Sequence, residues 1–78
     1  MKLPRGVSAD RLIRALGRLG YRVIRQKGSH VRLRHDGRPA HAITVPLHNP
    51  LKTGTLHGIV SEVAQLRSIT IESLAELL

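Results

Sequence analysis

The fold is decided by one short stretch, Lys27-Gly28-Ser29-His30-Val31-Arg32-Leu33-Arg34. A tight Lys-Gly-Ser turn leads into a run in which polar and apolar residues alternate, and this alternation is typical of a half-buried strand. Val31 and Leu33 then face a core. The outward face carries His30, Arg32 and Arg34. An imidazole beside guanidinium groups suits a phosphate-containing substrate, because the imidazole moves a proton near neutral pH while the guanidiniums bind the anion.

The distribution of charge indicates a polyanionic partner. The chain of 78 residues carries 13 Lys and Arg against five Asp and Glu, a net charge of +8. Residues 1–52 hold twelve of the basic and two of the acidic side chains, a balance of +10, whereas residues 53–78 have a balance of −2. Such a basic first part favours nucleic acid over a merely solvated surface. A membrane surface is disfavoured because the sequence has no Trp or Phe to anchor a basic helix.

Length and composition predict a single aliphatic domain over residues 1–78. Tyr21 is the only aromatic residue, so Leu, Ile, Val and Ala must supply the core. The absence of cysteine excludes disulfides and thiolate metal sites. The start of the chain lacks the apolar region of a signal peptide, and no segment approaches the ~20 apolar residues of a membrane span. We therefore expect a cytoplasmic protein.

Hydrophobic periodicity predicts an α+β fold, in which helices pack on one face of three antiparallel strands. The predicted elements are a helix over 8–19, strands over 21–26, 30–34 and 40–45, a second helix from about residue 53 and a short helix after Thr70. Ser8 and Thr70 are expected to cap the first and last helices. Thr53 or Thr55 is expected to cap the second, with a break around 66–69.

The loop between the second and third strands is predicted to contain an odd number of residues. A two-residue Asp36-Gly37 turn would direct the apolar residues of the third strand away from the core. A loop of three or five residues instead pairs Val31 with Ile43 and Leu33 with His41, so that the apolar sets share a face. Gly37 is expected in a left-handed conformation. The outer face is then expected to show His30, Arg32 and Arg34 beside Ala40, Ala42 and Thr44.

Three ordered blocks of the sequence resemble a known family. They are Gly28-Ser29-His30, Thr44-Val45-Pro46-Leu47-His48 and Leu51-Lys52-Thr53-Gly54-Thr55-Leu56 with Ile59. Their order and spacing resemble the HicA toxins, the ribonuclease halves of HicA–HicB toxin–antitoxin systems. The resemblance implies a double-stranded-RNA-binding-domain-like fold and cleavage of mRNA without a metal or other cofactor. It also implies a HicB-like antitoxin that covers the active site.

The resemblance implies that His30, in the Gly-Ser-His block, is the catalytic histidine. Many members of the family carry a second histidine directly after it, a place that Val31 takes here. RNA cleavage without a metal needs a base for the 2′-hydroxyl proton and an acid for the 5′-leaving oxygen, and histidine can serve as either. Positive groups and backbone amides offset the charge that builds on phosphorus. The expected RNA-binding residues are Lys27, Gly28, Ser29, Arg32 and Arg34.

The group that shares the proton transfers with His30 is left open among His48, Lys27, Ser29 and water. For His48, a loop residue that only fixes a turn is the alternative interpretation. His35, His41 and His57 are interpreted as structural or incidental, and their spacing does not predict a metal site. The arginines that can extend the RNA surface are Arg11, Arg14, Arg18, Arg22 and Arg25.

Two other functions are compatible with the same residues. One is a double-stranded-RNA-binding module without catalysis, and the other is a degenerate toxin that only binds its antitoxin. A binding module needs no histidine at position 30, so the behaviour of His30→Ala separates it from a nuclease.

Overall fold

The computed structural model describes residues 3–78 and has the predicted order of elements. The elements are α1 (Ala9–Arg18), β1 (Arg22–Lys27), β2 (His30–His35), β3 (His41–Pro46), α2 (Thr53–Arg67) and α3 (Ile71–Ala75). The strands form one antiparallel sheet in the order β1-β2-β3. The predicted α+β fold with a short C-terminal helix is therefore confirmed. Within residues 3–78, no helix has both the length and the apolar character needed to cross a membrane.

The first and last helices begin directly after the residues that were predicted to cap them. The Ser8 hydroxyl accepts a hydrogen bond from the Arg11 N–H at 3.1 Å, and the Thr70 hydroxyl accepts one from the Ser73 N–H at 3.0 Å. Each bond satisfies an N–H group that the first turn of a helix leaves without a partner. Gly20, with φ +98°, follows the end of α1, a position at which a left-handed glycine commonly ends a helix.

The predicted cap of α2 is wrong. The helix begins at Thr53, so Lys52 occupies the N-cap position, and the lysine side chain makes no capping hydrogen bond. Thr53 and Thr55 both lie inside the helix and so cannot take the cap position. Ser68, in a left-handed conformation with φ 54°, ends the helix within the predicted break.

The core lies between the helices and the inner face of β2 and β3. Val31 and Leu33 of β2 are 3% and 1% exposed, which confirms the alternation read from the sequence. The residues packed with them include Leu12, Leu16, Ile43, Val45, Val60, Val63 and Leu74. Complete burial of an aliphatic side chain of this size stabilises a fold by about 1.5–3 kcal/mol, so this cluster holds β2 firmly against the helices.

The loop between β2 and β3 has five residues, 36–40, and so has the predicted odd length. The predicted pairs are wrong by two residues: Val31 pairs with Val45, and Leu33 pairs with Ile43. A shift of two leaves every side chain on its predicted face, because the side-chain period of a strand is two. The longer loop also places His35 opposite His41.

The predicted conformation of Gly37 is wrong, since its φ is not positive. Glycine is needed there because the chain passes close to an imidazole: a Cβ atom at position 37 would lie 2.6 Å from Cε1 of His35. Real Cβ atoms essentially never approach a heavy atom so closely, so a side chain at this position would displace the ring.

The edge strand β1 differs from the other two strands because all six of its residues are exposed. Even Val23 and Ile24 are 52% and 47% exposed. The pairing with β2 is interrupted by a β-bulge: Val23 pairs with Leu33, and the next pair is Arg25 with Arg32. Ile24 is therefore the extra residue of the bulge.

Candidate functional site

The candidate site lies at a two-residue turn, Gly28-Ser29, which joins β1 to β2. Lys27 belongs to β1 and pairs directly with His30 of β2 across this turn, which is one residue shorter than predicted. Gly28 has φ +58°, whereas Ser29 does not have a positive φ. This is the sign pattern of a type II′ hairpin turn, whose first central position favours glycine. The turn thus sets the lysine and the histidine side by side.

The outer face of the sheet holds a pocket of about 470 Å³ around this turn. The pocket is lined by Arg25, Lys27, Gly28, Ser29, His30, Arg32 and Thr44. The structure therefore brings together five of the seven candidate site residues named from the sequence; the exceptions are Arg34 and His48. The volume of this pocket is in the range of about 300–1,000 Å³ that is common for ligand sites.

The guanidinium of Arg32 is held in place by the neighbouring strand. Arg32 and Thr44 are paired between β2 and β3, and Nη1 of Arg32 donates a hydrogen bond to Oγ1 of Thr44 at 3.0 Å. This bond uses one of the five N–H donors of the guanidinium, so the others can bind an anion. The small side chain of Thr44 leaves the arginine exposed beside His30.

The β-bulge of β1 brings Arg25 into the site. Arg22 and Arg25 are three residues apart, and in a regular strand they would point to opposite faces. The extra residue, Ile24, changes this count, so that Arg22 pairs with Arg34 and Arg25 with Arg32. The sequence predicts Arg25 only as one of five arginines that can extend the RNA surface, and does not predict it as a residue of the site itself.

Arg34 lies outside the pocket, next to a carboxylate that was not predicted as part of the site. Its Nε donates to Oδ1 of Asp36 at 2.8 Å, and Nη2 of Arg22 donates to Oδ2 of the same carboxylate at 2.8 Å. The hydrogen bond from Arg34, together with the positive charges of Arg22 and Arg34, lowers the pKa of Asp36 below its ordinary value. The carboxylate is therefore ionised at neutral pH and bridges the two arginines.

His48 lies apart from the pocket. It lines a separate depression of about 210 Å³ with Ala9, Asp10, Leu47 and Asn49. Its carbonyl accepts a hydrogen bond from the Ala9 N–H at 3.4 Å, which ties the loop after β3 to the start of α1. A catalytic role for His48 stays a prediction.

Two other histidines belong to a cluster with Tyr21 at the opposite end of the sheet. His35 donates from Nε2 to the Leu19 carbonyl at 2.9 Å and accepts at Nδ1 from the Gly37 N–H at 2.8 Å. His41 accepts from the Tyr21 hydroxyl and donates from Nδ1 to the Pro39 carbonyl. Each ring thus uses both of its nitrogens in hydrogen bonds within the cluster, which fixes its orientation.

Burial and two charged residues of α2 shift the pKa of the Tyr21 hydroxyl. Burial of Tyr21 raises the pKa of its hydroxyl, and the negative charge of Glu62 acts in the same direction, whereas Arg67 opposes both.

His57 is exposed on α2, with Nδ1 3.5 Å from the Ser61 hydroxyl. Among the described residues, 3–78, no group of three or more His, Cys, Asp or Glu is arranged to hold a metal ion.

The fold and the site define a small α+β protein that presents one histidine in a basic pocket on the outer face of a three-stranded sheet. The sequence model of a protein family, the HicA toxin of bacterial toxin–antitoxin systems, matches residues 9–70. The chain belongs to the HicA toxin family, as the sequence predicted, and this membership implies an antitoxin partner. Searches of the curated proteins and of the solved structures gave no significant match.

Proposed function

We propose that this chain is the toxin of a type II toxin–antitoxin system and that it cleaves mRNA as a metal-independent endoribonuclease. The observation that supports this proposal is the pocket on the outer face, where an exposed histidine lies among two arginines and a lysine. An imidazole supplies the proton transfers of the reaction, and the cations supply the binding of a phosphodiester.

The cations and backbone amides of the pocket bind the scissile phosphate. Arg25 and Arg32 approach it from two strands, and Lys27 approaches from beside the turn. The N–H groups of Gly28 and Ser29 add donors, and no other atom lies within 4 Å of a Cβ built at Gly28, so a phosphate can come close to the backbone there. These groups offset the negative charge that grows on the phosphate oxygens in the transition state.

His30 acts as the general acid–base residue. Removal of the 2′-hydroxyl proton lets that oxygen attack phosphorus while the bond to the 5′-oxygen breaks, and the leaving oxygen takes up a proton. The products are a 2′,3′-cyclic phosphate and a 5′-hydroxyl. Of the groups left open as the second proton carrier, Lys27 and Ser29 line the pocket with His30, whereas His48 does not.

The antitoxin partner is a HicB-like protein that covers this pocket and so blocks access of RNA to His30. The basic outer face favours a partner with an acidic surface. The toxin that is free of antitoxin acts in the cytoplasm, where mRNA is available.

The decisive experiment compares His30→Ala with His57→Ala, which removes an exposed histidine on α2. We expect His30→Ala to lose at least about 100-fold in the rate of RNA cleavage. Its RNA affinity and its thermal unfolding should stay near those of the wild type. His57→Ala should cleave normally, and EDTA should not slow cleavage by this variant or by the wild type. Wild-type protein that binds RNA without cutting it would favour the non-catalytic binding module or the degenerate toxin, and equal cleavage by both variants would refute the role of His30.

A further inference from the structure

Three basic pairs cross from β1 to β2 on the outer face, and the proposed chemistry uses only two of them. The pairs are Lys27 with His30, Arg25 with Arg32, and Arg22 with Arg34. The first two line the pocket around His30, and the third lies beyond it. His30 and Arg34 are four residues apart on β2, or about 13 Å along the strand. The third pair is thus placed further along the path that a bound strand would take.

The third pair already holds an oxyanion, the carboxylate of Asp36. Each carboxylate oxygen accepts a hydrogen bond from a different guanidinium, and both bonds measure 2.8 Å. A phosphodiester presents two non-bridging oxygens that can accept the same two bonds. Asp36 thus makes the contacts to Arg22 and Arg34 that a phosphate would make.

The position of Asp36 permits its displacement. Its side chain is 58% exposed, and those of Arg22 and Arg34 are 63% and 42% exposed. Exposed ion pairs are weak because water screens them, so a phosphate can compete with this carboxylate. Asp36 begins the loop 36–40 and is not part of β2, so its side chain can turn away without loss of a strand pair.

We propose that Arg22 and Arg34 form a second phosphate-binding subsite beside the His30 pocket, and that Asp36 occupies this subsite until an RNA strand displaces it. The inference rests on the proposed function, since it takes RNA as the substrate. It adds a binding site for a phosphate some distance from the scissile bond. It also makes Asp36 an internal competitor that lowers the affinity for long RNA and leaves the affinity for very short RNA unchanged.

The test measures binding of two 2′-O-methyl oligonucleotides, which lack the attacking hydroxyl and so stay intact. A dinucleotide has one internal phosphate and reaches only the His30 pocket, whereas a hexanucleotide reaches both sites. In Asp36→Asn, we expect the affinity for the hexanucleotide to rise about three- to tenfold and that for the dinucleotide to stay within twofold. In the wild type, log affinity should fall with log salt more steeply for the hexanucleotide than for the dinucleotide, by about 0.7 per additional phosphate contact.

The matched control is Glu76→Gln, which removes the same charge from an exposed position at the end of α3. This variant should bind both oligonucleotides like the wild type. Equal gains in Asp36→Asn and Glu76→Gln would overturn the proposal, because net charge alone would then explain them. An equal gain for the dinucleotide would overturn it too.

A second variant, Arg22→Gln, tests the subsite from the other side. Without Asp36, Arg22 is free to bind RNA, so Arg22→Gln should abolish the gain in hexanucleotide affinity that Asp36→Asn produces. In the wild-type background, where Asp36 occupies Arg22, the same substitution should lower the hexanucleotide affinity by a smaller factor than it does in Asp36→Asn. Additive effects would contradict the competition between Asp36 and RNA.

The two proposals can fail separately. If Arg32→Gln weakens both oligonucleotides while Asp36→Asn changes neither, the subsite is wrong and the RNA pocket stands. If Arg32→Gln changes neither, the RNA pocket itself is refuted. If Asp36→Asn strengthens binding of an oligoglutamate peptide but not of the hexanucleotide, the arginine pair serves a protein partner and the phosphate subsite is wrong.

Discussion

Arg32 and Thr44 are direct partners across β2 and β3, and the threonine hydroxyl accepts a hydrogen bond from the guanidinium at 3.0 Å. We predict that Thr44→Val, which keeps the shape of the side chain and removes the acceptor, lowers kcat/KM for RNA cleavage about three- to tenfold through misplacement of the guanidinium. Thr44→Ser should restore activity. Thr44→Val should have no further effect when Arg32 is already alanine, and a full additional loss in that background would show that Thr44 acts independently of Arg32.

The salt dependence of RNA binding separates the sheet face from the rest of the basic surface. Arg32→Ala removes a pocket cation, so the slope of log affinity against log salt should become shallower by about 0.7. Arg67→Ala is the control, because Arg67 lies in the last turn of α2, is not among the arginines expected to extend the RNA surface and does not line the pocket. Identical titrations for the two variants would argue against a defined RNA surface on the outer face.

Gly37 should be far less tolerant of alanine than Gly17. A methyl group at position 37 meets the His35 ring at 2.6 Å, so Gly37→Ala should cost about 1–3 kcal/mol of unfolding free energy. Gly17 lies within α1 with nothing in reach of an added Cβ, so Gly17→Ala should stabilise the protein by about 0.5–1 kcal/mol. Chemical denaturation measures both, and a neutral Gly37→Ala would mean that the ring moves aside freely.

Tyr21 gives the fold a specific weakness at high pH. Burial raises its pKa above the unfolded-state value of about 10. The stabilisation that follows from this shift is complete below that value and is lost as the pH rises through the folded-state pKa. Tyr21→Phe should cost about 1 kcal/mol at neutral pH, because the hydrogen bond to His41 is lost. Between pH 9 and pH 11, the melting temperature should fall further for the wild type than for Tyr21→Phe. An equal fall in the two proteins would contradict the prediction.

Sequence reasoning succeeded where burial leaves a periodic trace. In β2 the apolar residues Val31 and Leu33 alternate with polar ones, so the face of His30 could be predicted before any pairing was known. Ser8 and Thr70 could be predicted as caps because their hydroxyls satisfy local N–H groups, and such contacts do not depend on the rest of the fold.

The same reasoning could not find the bulge at Ile24 or the bridge formed by Asp36. Every residue of β1 is exposed, so no pattern of burial marks which face a side chain takes. The face of Arg25 follows only from its pairing with β2, which is a tertiary contact. Likewise, Asp36 meets Arg22 only because the sheet brings residues 14 positions apart together.

The two ends of β2 do different work. His35 is locked at one end by Tyr21 and the backbone around it, whereas His30 stands exposed at the other, about 17 Å away along the strand. A substitution of His30 therefore leaves the end of β2 that His35 anchors intact, and we expect such a variant to accumulate as folded protein. In a cell, such a variant should still bind the antitoxin and so leave less of it to bind the wild-type protein.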